Sequence, residues 1–450
     1  MGTHVHRIDL CARDFEFVKE PLVHAVQLLE RHQPERDPAL VGDDADPDLG
    51  LVQPPDRARH PVNQSDVGCP SEILSGWGTG VDGAVTVEEH PAGCRVRLWR
   101  NPDGSANYSA GPTSPACPAP VIISKTPLRI SFVGGGTDLP DFAEQHGGAV
   151  VSTAIDKWVH VIAAPRFEGD LRISYSRTEI VETARDVEHE LVREALRVTG
   201  LPRGLEVVTL ADVPSRGTGL GSSSAVLVGL LAALYAYQGI FRSPAQLAEE
   251  AARTEIEVLG KPIGRQDQYA AAVGGFNLIE FVRGGGVRTE PIVAPPGTLA
   301  ALHRSLLLFY TGRQRSAADV LSGQRDAIID GTATAALQQM RDLAYEMRDA
   351  LGAGHADAIG DLLHRNWELK RSLAAGITDS TVDRWYQTAL ATGATGGKLL
   401  GAGAGGFLLL CAPTDRHAAL RAALADLREV PFHFAARGTQ ITLFEPTSQL

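Results

Sequence analysis

The stretch Pro214–Ala225 reads PSRGTGLGSSSA and runs into an apolar segment that ends at Tyr237. Glycine recurs at every second position, Gly217, Gly219 and Gly221, and the serines Ser222, Ser223 and Ser224 follow. The pattern predicts a loop that opens into a helix. Glycines without Cβ let the backbone close around a bulky group, and the first N–H groups of a helix lack partners at the positive end of its dipole. Such a terminus favours phosphate. The hydroxyls add neutral donors and oxygen ligands for a hard cation such as Mg²⁺. Taken alone, the same residues also suit a flexible turn with Ser222 as an ordinary N-cap.

The 450 residues carry a formal charge of −12 and 44% hydrophobic residues. That is roughly two to three domains' worth of chain with a sizeable core. The negative balance argues against general affinity for nucleic acid or anionic membrane, so an anionic ligand has to be held by a local cluster of donors. The longest apolar run, Ala225–Tyr237, falls short of the roughly 20 residues of a membrane span, and no apolar signal segment opens the chain. A cytoplasmic protein is expected. Four of the five cysteines, Cys11, Cys69, Cys94 and Cys117, lie early at irregular spacings without a CxxC pair, so neither disulfides nor zinc is expected.

Residues 1–120 differ from the rest, with about half of the 27 prolines, turn-rich runs such as GDDADPDLG and few stretches of clear period. No folded domain is expected there. The 42 basic residues include only six lysines, and the whole chain has three methionines, as a GC-rich coding bias would produce. Two readings stand: a weakly folded or disordered extension, or an over-extended gene model whose true start is a GUG codon at Val121.

From Val121 strands and helices alternate. Strands are expected at Val121–Val133, Gly148–Ala164, Leu171–Tyr175, Leu205–Leu210, Gly275–Val282 and Ser305–Tyr310. Helices are expected at Val187–Val198, after the Gly/Ser loop, and from Ser243, where Pro244 and Gln246 complete a capping box and Gly260 and Pro262 give the stop. Further helices are expected at Thr334–Ala350, Ala356–Leu373 and Thr381–Thr392, then a strand Lys398–Cys411, a helix Asp415–Leu427 and two short strands. The pattern predicts an α/β (α+β) fold of two lobes, 121–290 and 291–450, with mixed or antiparallel sheets packed on helices.

Three further constellations carry chemistry. In TPLRISFVGGGTD, a strand delivers Arg129, and Gly135, Gly136, Thr137 and Asp138 follow in a turn; Asp138 suits sugar hydroxyls or an Asx-turn. In KPIGRQDQYAAAVGGFN, Lys261–Asn277, Asp267 suits either a helix cap or a base that takes a hydroxyl proton. In GGKLLGAGAGGFLLLC, Gly401, Gly403 and Gly406 spell GxGxxG, with Gly405 beside them, but they precede a strand and open no helix. That excludes a dinucleotide fingerprint. Small residues here let the backbone lie close to another loop or to a bound nucleotide.

The order P-x-x-G-x-G-L-G-S-S-S, a distal G-x-x-D and a late G-x-G-x-G-G resembles the galactokinase, homoserine kinase, mevalonate kinase and phosphomevalonate kinase (GHMP) superfamily over residues 121–450. Within it, PLRISFVGGGTDLPDF, GGAVVSTAIDKWVHV and PIGRQDQYAAAVGGFN are similar to the heptose 7-phosphate kinases, and fucose kinases share part of the pattern. The resemblance implies ATP and Mg²⁺ as cofactors and a sugar phosphate as acceptor. It places Pro214, Gly217, Gly219, Leu220, Gly221, Ser222, Ser223 and Ser224 around ATP, with Ser222 or Ser223 and Glu255 at Mg²⁺. Gly260 stands one residue further from Asp267 than in mevalonate kinases, which leaves Glu257 as a second acidic ligand choice.

Asp267 is implied as the catalytic carboxylate and Arg129 as the cation over the developing charge, while Gly135, Gly136, Thr137 and Asp138 bind the sugar. Galactokinases read GEHTD where this chain reads GGGTD, which argues against galactose. A sugar 7-phosphate needs basic partners. Arg315 and its neighbour Arg313 lead, and Lys157, Arg265 and Lys370 are weaker choices. The resemblance also implies that Gly401, Gly403 and Gly405 form the third glycine motif.

Overall fold

Alternating residues in VTVEE, RVRLWR and ANYSA form three short strands, β1 (Val85–Glu89), β2 (Arg95–Arg100) and β3 (Ala106–Ala110), which pair antiparallel in that order. Little regular structure is expected there from sequence, because each alternating run is short and hemmed by turn residues. The computed structural model describes residues 85–89, 95–100, 106–110, 120–214, 217–313, 317–403 and 405–445, all within the unit Thr79–Leu450. The expectation for the rest of residues 1–120 lies outside the described residues.

The strand that carries Arg129 is β4 (Val121–Val133), alternately buried in its first half and fully buried in its second. It pairs antiparallel with β5 (Gly148–Pro165), a strand of 18 residues. The start of β5 also pairs with β9 (Phe276–Phe281) and its end with β8 (Leu205–Ala211). With β6 (Leu171–Ser174), β7 (Thr178–Val181), β10 (Val287–Pro291) and β15 (Gln440–Glu445) they make one eight-stranded sheet. Its β6–β8 pair runs parallel. Because β15 returns from the chain's end to pair with β4, the expected division at residue 291 does not separate two independent sheets.

The helices, in order, are α1 (Pro140–His146), α2 (Glu190–Thr199), α3 (Ser222–Tyr237), α4 (Pro244–Arg253), α5 (Gln266–Val273), α6 (Thr298–Ser305), α7 (Ala317–Ile329), α8 (Thr334–Gly352), α9 (Ile359–Arg371), α10 (Ser380–Thr392) and α11 (His417–Ala423). Helix α3 is apolar all round and buried, with Ser124 Oγ of β4 donating to Gly229 O at 2.8 Å. The capping box forms as read: Gln246 N donates to Ser243 Oγ at 3.3 Å and Ser243 N to Gln246 Oε1 at 2.9 Å. Beyond Arg253 the helix widens into a π-turn, Thr254–Val258. Such turns mark functional sites, and this one buries Glu255 and leaves Glu257 exposed.

The second sheet has the order β12–β13–β11–β14, with β12 (Gly396–Leu399), β13 (Phe407–Cys411), β11 (Leu306–Tyr310) and β14 (Arg428–Glu429). The single strand expected over Lys398–Cys411 is therefore two, because the glycines between Leu400 and Phe407 turn the chain back on itself. In β11, Leu306 and Leu308 enter the core shared with Phe132 and Leu230, while Leu307 and Phe309 enter a second core around Trp367 and Tyr386. Strand β13 divides its residues the same way. Both faces are dry, which is why LLLFY and FLLLC read as continuous apolar runs. Among the described residues no helix is long and apolar enough to cross a membrane.

Candidate active site

The glycine-rich stretch is a loop that ends at the N-terminus of α3, with Gly221 in the left-handed region as its N-cap. Gly219 has φ +73°, and a Cβ there would stand 2.3 Å from Leu400 O. Reciprocally, a Cβ on Gly401, φ +75°, would stand 2.4 Å from Gly219 Cα. The third glycine motif thus lies backbone to backbone against the phosphate-type loop, and bare glycine is what lets the two approach. Gly403 packs against Ile377 and Gly405 against Arg313, so both shape the turn from behind.

Arg129 ties three parts of the site together. Its backbone N donates to Leu220 O at 3.1 Å and its Nη1 to Gly219 O at 2.6 Å. Its Nε and Nη2 meet Asp267 Oδ1, both at 2.7 Å. Asp267 sits in the first turn of α5. It faces the N-cap of α3 closely enough that a Cβ on Gly221 would lie 3.3 Å from Asp267 Oδ2. A carboxylate held by a buried guanidinium at a helix N-terminus is placed to take a proton beside a bound phosphate.

A cavity of about 550 Å³ opens here. Gly217, Gly219, Gly221 and the three serines line it on one side, and Ser131, Gly135, Gly136, Asp138 and Gln266 on another. Asp138 accepts from Gly136 N at 2.8 Å and Gln266 N at 3.3 Å, and burial pushes its carboxyl above the usual range. Among the described residues Ser131 Oγ and Gln266 Oε1 are buried without a partner. They offer polar contacts to a hydroxylated ligand. Leu220 and Thr137 lie off the cavity: Leu220 is core, and the Thr137 hydroxyl donates to Gly134 O at 2.8 Å inside its turn. Pro214 is likewise not among the lining residues.

Glu255 is fully buried beneath the serines. Ser223 Oγ and Ser224 Oγ each donate to its carboxylate at 2.6 Å, Gln268 Nε2 at 2.7 Å, and Lys261 Nζ lies 3.4 Å away. Ser222 Oγ turns back to Thr218 Oγ1 at 3.1 Å, so of the two serines read for the cation, Ser222 and Ser223, it is Ser223 that lies beside the acid, together with Ser224. Among the described residues no group of three or more acidic, His or Cys side chains is placed to hold a metal ion by itself. One carboxylate with a hydroxyl, completed by phosphate oxygens, is a donor set that suits Mg²⁺.

Of the basic residues read for a sugar phosphate, Lys370 lines the cavity. Arg313 pairs with Asp379 at 2.8 Å, Lys157 with Asp156 at 3.3 Å and Arg265 with Glu144 at 3.9 Å. Arg315 lies outside the described residues. Polar lining residues that the sequence reading did not single out include Ser131, Lys261, Gln266 and Lys398. For Lys398 a signal existed: one charge inside the small and apolar run GGKLL.

A carboxylate–arginine pair against a glycine loop at a helix start suits phosphoryl transfer. Residues 179–275 match the GHMP kinases N terminal domain and residues 347–429 the GHMP kinases C terminal domain. The chain thus carries an N-terminal and a C-terminal GHMP kinase domain and is an ATP-dependent sugar kinase. It is 28% identical over 317 residues to D-glycero-alpha-D-manno-heptose 7-phosphate kinase of Campylobacter jejuni, which covers 67% of this chain and 92% of that one. It is 27% identical over 315 residues to a bifunctional fucokinase/GDP-fucose pyrophosphorylase of Arabidopsis thaliana, covering 64% of this chain and 29% of that longer one. The crystal structure of a D-glycero-D-manno-heptose 1-phosphate kinase from Bacteroides thetaiotaomicron superposes with a TM-score of 0.60 at 24% identity, over 71% of this chain and 97% of that one. At that identity the likeness concerns the fold.

Proposed function

We propose that this chain transfers the γ-phosphate of ATP to the C1 hydroxyl of D-glycero-D-manno-heptose 7-phosphate, giving the 1,7-bisphosphate used to make nucleotide-activated heptose. The observation that carries the reading is the Arg129–Asp267 pair, fixed at 2.7 Å beside the loop and opening on the cavity of Asp138. Asp267 takes the hydroxyl proton as the sugar oxygen bonds to the γ-phosphorus and the bond to ADP breaks. Arg129 and the loop N–H groups stabilise the charge that spreads over the phosphoryl oxygens. Ser223 and Glu255 would hold Mg²⁺, which neutralises phosphate charge when bound. Asp138, with Gly135 and Gly136, orients the sugar. Consuming ATP and a metabolic sugar phosphate, the enzyme works in the cytoplasm.

The heptose reading is supported by the 92% of the heptose 7-phosphate kinase that the chain spans. A fucose-type acceptor is the second reading, favoured by the fucokinase likenesses. Measuring kcat/KM for heptose 7-phosphate, the unphosphorylated heptose and L-fucose separates them. The ester is expected to be preferred by tenfold or more, about the worth of one charge-assisted contact. Equal use of the free sugar transfers the proposal to the fucose type.

Every residue assigned here lies beyond Val121, and among the described residues β4 pairs with β5 and β15 alone. A chain that begins at Val121 is therefore expected to stay soluble, to melt with the full chain and to keep its kinetics. Loss of folding on truncation would show that the earlier residues complete the core.

A further inference from the structure

Two lysines share the cavity wall with Asp138: Lys370 on α9 and Lys398 on β12, exposed by 5% and 1%. Lys370 Nζ donates to Gly401 O, and Lys398 Nζ donates to Phe132 O at 2.9 Å. An ammonium has three N–H donors. Among the described residues each lysine thus keeps two without an acceptor, and neither has a carboxylate at ion-pair distance. The other charges of the cavity are matched: Arg129 by Asp267 at 2.7 Å and Lys261 by Glu255 at 3.4 Å. Asp138 remains facing two ammonium groups, so this end of the cavity carries an excess of positive charge and of donors.

Burying ammonium groups without a counter-ion is costly, and such groups concentrate where a ligand completes them. Their proton affinities register the strain. Burial brings Lys370 down to about 8, with Asp138 and Asp267 opposing and Arg129 assisting. It holds Lys398 well below the ordinary lysine range, with Lys370 and Arg129 adding to the effect and Asp138 opposing it.

We propose that Lys370 and Lys398 form the subsite for a phosphate monoester on the acceptor sugar, so that a dianion supplies both the missing counter-charge and the missing acceptors. The assignment rests on the reading of the substrate as a sugar phosphate. Its location favours the acceptor's phosphate over that of ATP. Lys398 is anchored to Phe132, just before the Gly134–Asp138 turn, whereas the loop has its own cations in Arg129 and Lys261.

Lys370→Met and Lys398→Met remove the ammonium and keep the length of the side chain. With either, the ratio of kcat/KM for heptose 7-phosphate to that for the unphosphorylated heptose is expected to fall at least about tenfold, through KM of the ester; with Lys398→Met, whose anchor Phe132 O lies off the loop, KM for ATP stays put. An equal loss with both sugars overturns the proposal and assigns the lysines to the transferring phosphoryl group or to the fold. If the unsubstituted chain already uses both sugars alike, the sugar-phosphate reading itself fails. If it prefers the ester and both variants keep that preference, only the subsite is wrong.

Calorimetry on the unsubstituted chain needs no variant to fold. At about pH 8, where the ester is already a dianion, its binding is expected to take up a proton, read from titrations in buffers of different ionisation enthalpy. The free sugar should take up none, and affinity for the ester should fall as the pH rises through 8, because the ammonium groups lose their protons. Identical proton balance for the two sugars contradicts the proposal.

Discussion

Asp267→Asn lowers turnover by about a hundredfold or more, the usual loss on removing a general base, and leaves ATP affinity unchanged or slightly tighter. The asparagine keeps the size of the side chain and one oxygen for Arg129, whose Nε and Nη2 both meet Asp267 Oδ1 at 2.7 Å. The geometry of the loop is therefore retained, since Arg129 also holds Gly219 O at 2.6 Å and Leu220 O at 3.1 Å. What disappears is the proton acceptor. The freed guanidinium gains a reason to bind phosphate, which is why ATP affinity does not drop. Steady-state kinetics together with equilibrium nucleotide binding check both halves. Near-normal turnover would reduce Asp267 to a residue that only positions Arg129.

Gly219→Ala is expected to lower kcat/KM for ATP by about a hundredfold, the scale on which a displacement of about 1 Å disrupts a reacting geometry. The methyl group would stand 2.3 Å from Leu400 O at a φ of +73°, so contact and backbone strain act together. The loop has to retreat from Gly401 and carries the N-terminus of α3 with it. Gly401→Ala presses on the same contact from the other side, because its Cβ would stand 2.4 Å from Gly219 Cα. The double variant should lose less than the sum of the two, as expected for residues that share one contact. Gly331→Ala separates strain from collision: its φ is +83°, with nothing within 4 Å of the added carbon. It should lower the melting temperature modestly and leave nucleotide kinetics unaltered. Equal kinetic losses at Gly219 and Gly331 would dissociate the loop from phosphate binding.

Much of the site was legible because its parts are local in sequence. A loop that must reach positive φ and then open a helix needs glycines and small hydroxyl residues in that order, and PSRGTGLGSSSA supplies them. Arg129 and Asp267 stood in short patterned segments beside turns. The late glycines were correctly read as a place for close backbone approach, but the strand boundary there was not, since Gly401–Gly406 reverse the chain between two equally apolar strands. The choice between Glu255 and Glu257 turned on a π-turn that shifts one residue's facing, and no periodicity reports a π-turn in advance.

The acceptor wall was the least legible part. Ser131 sits in a strand whose second half is wholly buried, so no alternation marks its hydroxyl as special. Lys370 and Lys398 come from a helix and a strand far along the chain from Asp138, and only the packing of α9 and β12 against the first sheet brings the three together. Their significance lies in what does not surround them, which is a property of the folded chain alone.

The central claim is that this chain passes phosphate from ATP to the anomeric hydroxyl of a sugar already phosphorylated at its far end. Phosphorus NMR of the chain incubated with ATP, Mg²⁺ and D-glycero-D-manno-heptose 7-phosphate tests it most directly. The account predicts one ADP for each new phosphorus signal, with that signal coupled to the anomeric proton and the 7-phosphate signal retained. ATP left intact in the presence of the ester, or phosphate appearing on L-fucose while the ester is untouched, would contradict it.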